Sequence, residues 1–360
     1  MSKFHPLTIA NVRNETRDTI AVTFAVPDAL RDSFAFQQGQ HLTLRAQIGD
    51  EDVRRSYSIC SAVQDGALRV AIKRTQGGLF SSWANDNLQA GHTIDVMPPM
   101  GHFNVPLDAA NKKHYLAFAA GSGITPILSI IKTTLAAEPE SQFTLFYGNR
   151  ASSSVIFRDE LSDLKDSYMG RLKLAYVMSR EQQDIELFNG RITKDKAAQF
   201  LKYWVRADDI DIAFICGPED MMHGVSEALQ EAGLAKSQIK VELFAASIPK
   251  HAHQPRAASA VAATQQQTEV TVIMDGNAAS FTMEQDKESL LDAGLRAGLD
   301  MRYSCKGGVC STCRCKVIEG KVDMDVNYAL EDYEIARGYV LSCQSFPTTA
   351  RVVIDFDQAE

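Results

Sequence analysis

The sequence lacks an excess of basic residues: 37 Lys and Arg stand against 45 Asp and Glu, for a formal charge of −8 at pH 7. A nucleic-acid-binding protein needs a positive surface, so no nucleic-acid partner is expected. The first residues lack the apolar core of a signal peptide. One uncharged stretch, 114–131, approaches the length of a membrane span, but Gly121, Gly123 and Pro126 within it favour a strand, a loop and a helix. We therefore expect a soluble protein with no membrane partner.

Disulfide pairing is also not expected. The chain has seven cysteines, an odd number, and four of them have the spacing of metal ligands. The other three, Cys60, Cys216 and Cys315, are scattered along the chain, which is typical of a protein from the reducing cytoplasm.

The four spaced cysteines are the most informative feature of the chain. They follow the pattern C-x4-C-x2-C with a distant fourth member, and they are Cys305, Cys310, Cys313 and Cys343. This is the ligand spacing of a plant-type [2Fe–2S] cluster. A zinc ribbon, the alternative, needs two C-x2-C pairs, and the chain has one. We expect Cys315, two residues after a ligand, to be a buried spare thiol, although a substitute-ligand role is conceivable.

The remaining chain is long enough for two or three domains. Short alternating segments over 1–107 predict an antiparallel β-barrel. Over 108–246, apolar strands alternate with helical segments, which is typical of a doubly wound parallel sheet. Residues 247–268 have the composition of a linker, and 269–360 form an acidic domain that opens with a hairpin and carries the cysteines. A basic docking partner would suit this acidic domain.

In the barrel, Arg55, Tyr57 and Ser58 combine a cation, an aromatic ring and a hydroxyl on one strand. These are the groups that a flavin site needs for phosphate, ring stacking and hydrogen bonding near the reactive nitrogen. Gly77 and Gly78, followed by Ser81, can offer an anion site at a helix start. An ordinary strand aromatic and an ordinary turn are the alternatives.

In the α/β region, Gly121-Ser122-Gly123-Ile124-Thr125-Pro126 follows an apolar strand and precedes an apolar helix. Its glycines allow close approach of a pyrophosphate, and we expect Thr125 to cap the helix and Pro126 to occupy its first position. Cys216-Gly217-Pro218 ends a later strand, where ligands of such sheets bind. A small buried thiol is the alternative for Cys216.

Together these motifs resemble the ferredoxin–NADP reductase superfamily fused to a ferredoxin domain. The matches are R-x-Y-S at Arg55, P-x-G-x-F at Pro99, G-x-G-x-T-P at Gly121 and C-G-P at Cys216. Longer matches, AAGSGITPIL, YGNR, CKGGVCSTCRCKV and GYVLSCQ, resemble the reductase subunits of bacterial phenylacetyl-CoA epoxidases. The resemblance implies a FAD-binding β-barrel, an NADP-binding α/β domain and a β-grasp ferredoxin domain.

The resemblance also implies residue roles. Arg55 would bind the flavin diphosphate, and Gly78 and Ser81 would help to hold the pyrophosphate of FAD. The catalytic group would be Tyr57 stacked on the flavin, Ser58 near its N5 atom and Cys216 near the nicotinamide. The nucleotide would contact residues Gly121, Gly123, Thr125, Pro126, Gly217 and Pro218.

Nucleotide choice depends on a second set of residues. Ser179 and Arg180 match a pair that grips the 2′-phosphate in plant relatives, which favours NADPH over NADH, with Arg150 assisting. A solvated loop charge is the alternative for Arg180. Phe244 would lie against the flavin, although Leu243 stands where relatives often have arginine.

The implied activity is electron transfer from NADPH through FAD and the [2Fe–2S] cluster to the di-iron oxygenase subunits of a phenylacetyl-CoA epoxidase complex. The chain has no paired E-x-x-H motif of its own, so epoxidation is expected on another subunit. The alternatives are a reductase for another aromatic-ring oxygenase or for a hybrid-cluster protein, and a redox adaptor that turns over no nucleotide. A flexible linker would let the cluster domain swing between the flavin and the partner.

Overall fold

The computed structural model describes residues 4–244, 267–285 and 287–358. The chain divides into two compact units between residues 247 and 248. Most of the predicted linker lies outside the described residues. Its last two residues, 267 and 268, lie in the first strand of the second unit.

The first unit opens with an antiparallel barrel. Its elements are β1 (His5–Thr16), β2 (Thr19–Ala25), β3 (His41–Ile48), β4 (Glu51–Ser58), β5 (Leu68–Lys73), α1 (Leu79–Asn87) and β6 (Thr93–Val96). The strand order is β4-β3-β6-β1-β2-β5. A bridge between Ile59 and Val70 joins the two edge strands and closes the sheet. Alternate side chains such as Leu42, Leu44 and Val22 point inward and are fully buried, which is the strand period read from the sequence.

A five-stranded parallel sheet completes the first unit. Its elements are β7 (His114–Ala120), α2 (Ile124–Ala137), β8 (Gln142–Asn149), α3 (Arg158–Ser167), β9 (Leu172–Met178), α4 (Lys194–Tyr203), β10 (Ile212–Gly217), α5 (Glu219–Glu231) and β11 (Ile239–Leu243). The order β11-β10-β7-β8-β9 confirms the doubly wound sheet. The uncharged stretch is a buried strand, a short turn and a helix. Helix α4 was not predicted, because only Ala197, Phe200 and Leu201 of its ten residues are buried.

The second unit is a mixed sheet packed against a helix. Its elements are β12 (Gln267–Met274), β13 (Asn277–Glu284), α6 (Leu290–Arg296), β14 (Arg314–Glu319), β15 (Val322–Met324), α7 (Asp332–Ala336), β16 (Tyr339–Leu341), β17 (Ser345–Pro347) and β18 (Arg351–Asp355). The main sheet has the order β13-β12-β18-β14-β16, with β12 parallel to β18. Leu290 and Leu291 of α6 are fully buried in the core of this unit. The hairpin, the helix and the cysteine loop occur in the predicted order along the chain, and the unit has the expected β-grasp fold.

Among the described residues, no helix is both long and apolar enough to span a membrane.

Candidate functional site

The first part of the site lies where the strand order of the parallel sheet reverses. Strands β7 and β10 are neighbours there, and the glycine loop follows one while Cys216 ends the other. A Cβ atom added at Gly123 would overlap the carbonyl oxygen of Cys216. Glycine is therefore required at this position, since only its missing side chain lets the loop pack on the strand end. In open α/β sheets this crevice is the usual place for a ligand.

The local structure of the loop differs from the prediction. Gly121, with φ of +55°, opens a 3₁₀ turn, and α2 begins at Ile124, so Pro126 is the third helical residue rather than the first. The Thr125 hydroxyl donates to the Ser122 carbonyl at 3.0 Å and does not cap the helix. Because the 3₁₀ turn leads directly into it, the helix begins two residues before the predicted start at Pro126. Pro126 is still tolerated, because the N–H groups of the first helical turn have no intrahelical partner.

The barrel contributes the end of β4. Tyr57 is partly buried, with its ring 5.7 Å from that of Phe80, and burial raises the pKa of its phenol. Arg55 is exposed and donates to the carbonyl of Arg54, so its guanidinium is accessible to an anion. Ser58, the next residue after Tyr57, is buried. The predicted cation, ring and hydroxyl thus lie on one strand end in three different environments.

A carboxyl group that sequence reasoning missed completes this corner. The Ser58 hydroxyl donates to Glu242 Oε2 at 3.2 Å, and Glu242 is paired in register with Cys216 across β10 and β11. Burial raises the pKa of Glu242 to about 8, with the Ser58 hydrogen bond acting against this increase. Burial, and secondarily Glu242, raises the pKa of Cys216. Near neutral pH the corner holds a protonated acid, a thiol and a hydroxyl, with no net charge.

The end of β11 and the start of α5 frame the corner. Phe244 is partly buried and packs against the core of the parallel sheet. Pro218 immediately precedes α5, and a Cβ atom at Gly217 would lie 2.5 Å from the methyl carbon of Met221. The C-G-P segment therefore packs tightly between β10 and α5, and the predicted nucleotide-contacting residues Gly217 and Pro218 lie beside Cys216.

The predicted anion loop precedes α1. Gly77 has a φ of +71°, and a Cβ atom at Gly78 would lie 2.6 Å from Ser81 Oγ. The Ser81 hydroxyl accepts from the N–H of Thr75 at 3.0 Å and is buried. Ser81 therefore holds the loop in shape. The N–H groups at the start of α1 are the structural feature that fits a diphosphate.

A lysine from the barrel reaches the glycine loop of the α/β domain. Lys73, the last residue of β5, has its Nζ atom 4.0 Å from the position of a Cβ atom at Gly121. The carboxylate of Asp18 lies 3.9 Å from Lys73 Nζ and is partly exposed. Sequence reasoning missed Lys73 because a basic residue at a strand end is usually a solvated charge. Its placement beside the loop fits a cation for the nucleotide pyrophosphate.

The predicted 2′-phosphate residues lie at another part of the same sheet edge. Arg180 donates its backbone N–H to the carbonyl of Arg150 at 2.8 Å, and both side chains are exposed. Ser179, also exposed, bonds the neighbouring strand at Asn149. The next residue, Glu181, accepts from both the N–H and the hydroxyl of Ser152. Arg150 and Arg180 therefore present two exposed side chains at this sheet edge, and the carboxylate of Glu181 beside them is hydrogen-bonded to Ser152.

In the second unit the four spaced cysteines form two pairs. The Cys305 thiol is hydrogen-bonded to Cys310 and lowers the pKa of Cys310, and the Cys313 thiol is hydrogen-bonded to Cys343 and lowers the pKa of Cys343. Within the described ranges, no three His, Cys, Asp or Glu side chains converge as a single ion would require. A [2Fe–2S] cluster needs two thiolates on each of its two irons, so the two-by-two arrangement fits this group.

The backbone of the loop supports the pairs. Lys306, Gly308 and Ser311 all have positive φ values, of +53°, +76° and +50°. This winding turns N–H groups towards sulfur: Gly307 donates to Cys305 Sγ at 3.3 Å, and Gly308 donates to Cys343. Such hydrogen bonds stabilise thiolates and tune the potential of a bound cluster.

Cys315 lies in β14, opposite Val340, and only 1% of it is exposed. Burial raises the pKa of its thiol. It belongs to the hydrophobic core of the unit together with two of the spaced cysteines, Cys313 and Cys343. These observations fit the predicted buried spare thiol, which remains a prediction.

Three family models match successive parts of the chain: an oxidoreductase FAD-binding domain over 6–105, an oxidoreductase NAD-binding domain over 118–227 and a 2Fe-2S iron-sulfur cluster binding domain over 272–348. Fold and site thus define a reductase that links a pyridine nucleotide, FAD and a [2Fe–2S] cluster in one polypeptide, as expected.

The chain belongs to the ferredoxin–NADP reductase superfamily, in the group that contains the E component of the 1,2-phenylacetyl-CoA epoxidase of Escherichia coli (strain K12), with which it is 47% identical over 99% of both chains. The ferredoxin reductase component of 3-ketosteroid-9-alpha-monooxygenase from Rhodococcus rhodochrous is 36% identical over 97% of this chain and 96% of its own. A solved phthalate dioxygenase reductase shares the fold, with a TM-score of 0.58 and 22% identity over 98% of each chain.

Proposed function

We propose that this protein is the reductase component of a phenylacetyl-CoA epoxidase and that it carries electrons from NADPH to the di-iron centre of the oxygenase subunits. The full-length 47% identity to a component of the Escherichia coli epoxidase is the observation that carries this proposal. The absence of an E-x-x-H pair from the chain agrees with epoxidation on another subunit. We place the reaction in the cytoplasm, since the cysteines act as reduced thiols in this scheme.

The redox chemistry would come from the cofactors when they are bound: FAD as a two-electron hydride acceptor and the cluster as a one-electron carrier. The residues of the chain position the reactants. We assign Tyr57 to stack on the flavin ring and Arg55 to bind its diphosphate, with the loop at Gly78 and Ser81 nearby. We assign Ser58 and Cys216 to opposite sides of the hydride path, at the flavin and at the nicotinamide.

Glu242 has a distinct role in this proposal. Its carboxyl is protonated near pH 7, because its pKa is about 8. It therefore accepts the Ser58 hydrogen bond as a neutral acid and would place no negative charge beside a bound flavin. A carboxylate at the same position would oppose that gain by like-charge repulsion.

We propose that the nucleotide is NADPH. Gly121, Gly123 and the first turn of α2 would contact the pyrophosphate, with Lys73 as its cation. Arg150 and Arg180 would bind the 2′-phosphate, because two accessible guanidinium groups flank that strand edge and suit a phosphate dianion. The neighbouring Glu181 carboxylate is held by Ser152, whose N–H and hydroxyl both donate to it.

The decisive experiment combines the purified protein with purified oxygenase subunits of a phenylacetyl-CoA epoxidase, NADPH, O₂ and phenylacetyl-CoA. We expect epoxide formation, detected by mass spectrometry, to depend on this protein. A second reaction with oxygenase components of a ring-hydroxylating dioxygenase tests the main alternative. Product in that reaction alone would overturn the proposed partner while leaving the reductase activity in place. NADPH-driven reduction of cytochrome c would separate a reductase from a redox adaptor.

A further inference from the structure

A network of charged side chains joins the barrel to the α/β domain and takes no part in the chemistry above. Arg69 on β5 places Nη2 2.8 Å from both carboxylate oxygens of Glu160 on α3. Lys132 on α2 bonds the same carboxylate at 2.8 Å and also bonds Asp65 of the barrel. Glu160 is therefore shared by cations of both domains: Arg69 and, at a longer 3.9 Å, Arg13 from the barrel, and Lys132 from α2.

The network is shielded from solvent and is backed by neutral hydrogen bonds. The side chains of Arg69, Lys132 and Glu160 are each less than a fifth exposed. One residue further along α2, Thr133 accepts from the N–H of Val63 in the barrel at 3.2 Å. Partly buried ion pairs of this kind contribute little net stability. Breaking one leaves a buried charge without a partner, so the pairs favour the one domain arrangement in which they form.

This arrangement fixes the helix that carries the glycine loop. Lys132 lies eight residues after Ile124, which is about 12 Å along the axis of α2. On β5, Arg69 and Lys73 are four residues apart, or about 13 Å. Strand and helix are thus tied near Lys132 through Glu160, and they meet again where Lys73 reaches Gly121. A shift of α2 along the barrel would move the glycine loop relative to the end of β4.

We propose that Arg69, Lys132 and Glu160 are positioning residues: by fastening α2 and α3 to the barrel, they set the distance between the nicotinamide held by one domain and the flavin held by the other. This inference rests on the flavin and nucleotide sites proposed above. It concerns the geometry of hydride transfer and not the affinity for FAD or for the nucleotide, because none of the three residues lies in the proposed flavin site or nucleotide site.

The test is Glu160→Gln, which keeps the shape of the side chain and removes its charge. Anaerobic stopped-flow mixing with saturating NADPH should show flavin reduction slowed by roughly tenfold or more, since about 1 Å of misplacement can cost up to about 100-fold. The long-wavelength charge-transfer absorbance of the nucleotide–flavin pair should also weaken. The KM for NADPH, the flavin content and the cluster spectrum should match those of the unchanged protein.

Asp86→Asn is the matched control. It breaks the Arg74–Asp86 pair, which is exposed and lies wholly within the barrel. This variant should reduce its flavin at the normal rate. Arg69→Lys, which keeps the charge, should retain more of the rate than Arg69→Gln.

Unchanged flavin reduction and charge-transfer absorbance in Glu160→Gln, with or without a lower melting temperature, would overturn the inference. If Glu160→Gln does not fold, Lys132→Gln is measured in the same way and decides the question, since it removes the same bridge from the other side. If the unchanged protein shows no NADPH-driven flavin reduction, the proposed function fails, and this outcome is distinct from failure of the network.

Discussion

The Ser58 hydroxyl donates a 3.2 Å hydrogen bond to Glu242, a residue 184 positions later in the chain. The contact joins the end of a barrel strand to the end of a strand in the parallel sheet. It places a carboxyl group of raised pKa at the corner where the flavin and nicotinamide sites are proposed to meet. The ionisation of Glu242 therefore gives the site a pH dependence that can be measured.

Flavin reduction should slow as the pH rises through about 8. Glu242 has a pKa raised to about 8, so it is neutral below this pH and negative above it. A negative charge beside the flavin opposes the arrival of a hydride. Stopped-flow rates between pH 6 and pH 9.5 should show the decline in the unchanged protein, whereas Glu242→Gln, which stays neutral, should give a flat profile. A decline of equal size in both proteins would contradict this role.

Lys73→Gln should weaken the binding of NADPH and of NADH to a similar extent. Lys73 lies beside the glycine loop, and the pyrophosphate assigned to that loop is common to both nucleotides. Removing one charge-assisted contact costs about 1.5–3 kcal/mol, or about 10- to 150-fold in KM. Steady-state cytochrome c reduction with each nucleotide measures this effect. A loss confined to NADPH would place Lys73 at the 2′-phosphate instead.

Arg180→Ala should raise the KM for NADPH by about tenfold or more and leave that for NADH nearly unchanged, because only NADPH carries the 2′-phosphate. Arg150→Ala should have a smaller effect of the same kind. Arg206→Ala, which removes an exposed cation elsewhere in the domain, is the control. Equal effects on both nucleotides would rule out the assigned specificity.

Cys343→Ser should abolish the normal visible spectrum of the cluster, whereas Cys315→Ser should preserve it. Cys343 is paired with Cys313 at the proposed ligand site, while Cys315 is a buried residue of β14. Absorption and electron paramagnetic resonance spectra of the dithionite-reduced variants measure the difference. An altered spectrum in Cys315→Ser would make that thiol a ligand or a substitute ligand.

Glu138→Gln should destabilise the α/β domain by about 2 kcal/mol, since hydrogen bonds to a charged group contribute about 1.5–3 kcal/mol. Burial raises the pKa of Glu138, but hydrogen bonds from Asn111, Ser141, Asp108 and Tyr115 outweigh burial, so the pKa is lowered overall. A lowered folded-state pKa contributes stability that is present above the unfolded pKa, about 4.3, and is lost as the pH falls through the folded value. Thermal melts at pH 7 and pH 4 should therefore show a smaller effect of the substitution at the lower pH.

Much of the architecture could be predicted from the sequence because its signals are local. Strand and helix periods gave the barrel and the doubly wound sheet, and cysteine spacing indicated the cluster loop. Prediction was less successful where local signals are weak. Helix α4 buries little of its surface, and the 3₁₀ turn at Gly121 moved Pro126 from the first helical position to the third.

The sequence determined which chemical groups are available and how far apart they lie along the chain: four thiols at ligand spacing, glycines in a strand–loop–helix unit, and a cation, a ring and a hydroxyl on one strand. Only the tertiary structure decided which of these meet groups from elsewhere. Glu242 reaches Ser58, Lys73 reaches the glycine loop and Glu160 bridges two domains because strand register and domain packing set those contacts. Such contacts join residues far apart in the chain, so no local spacing predicts them.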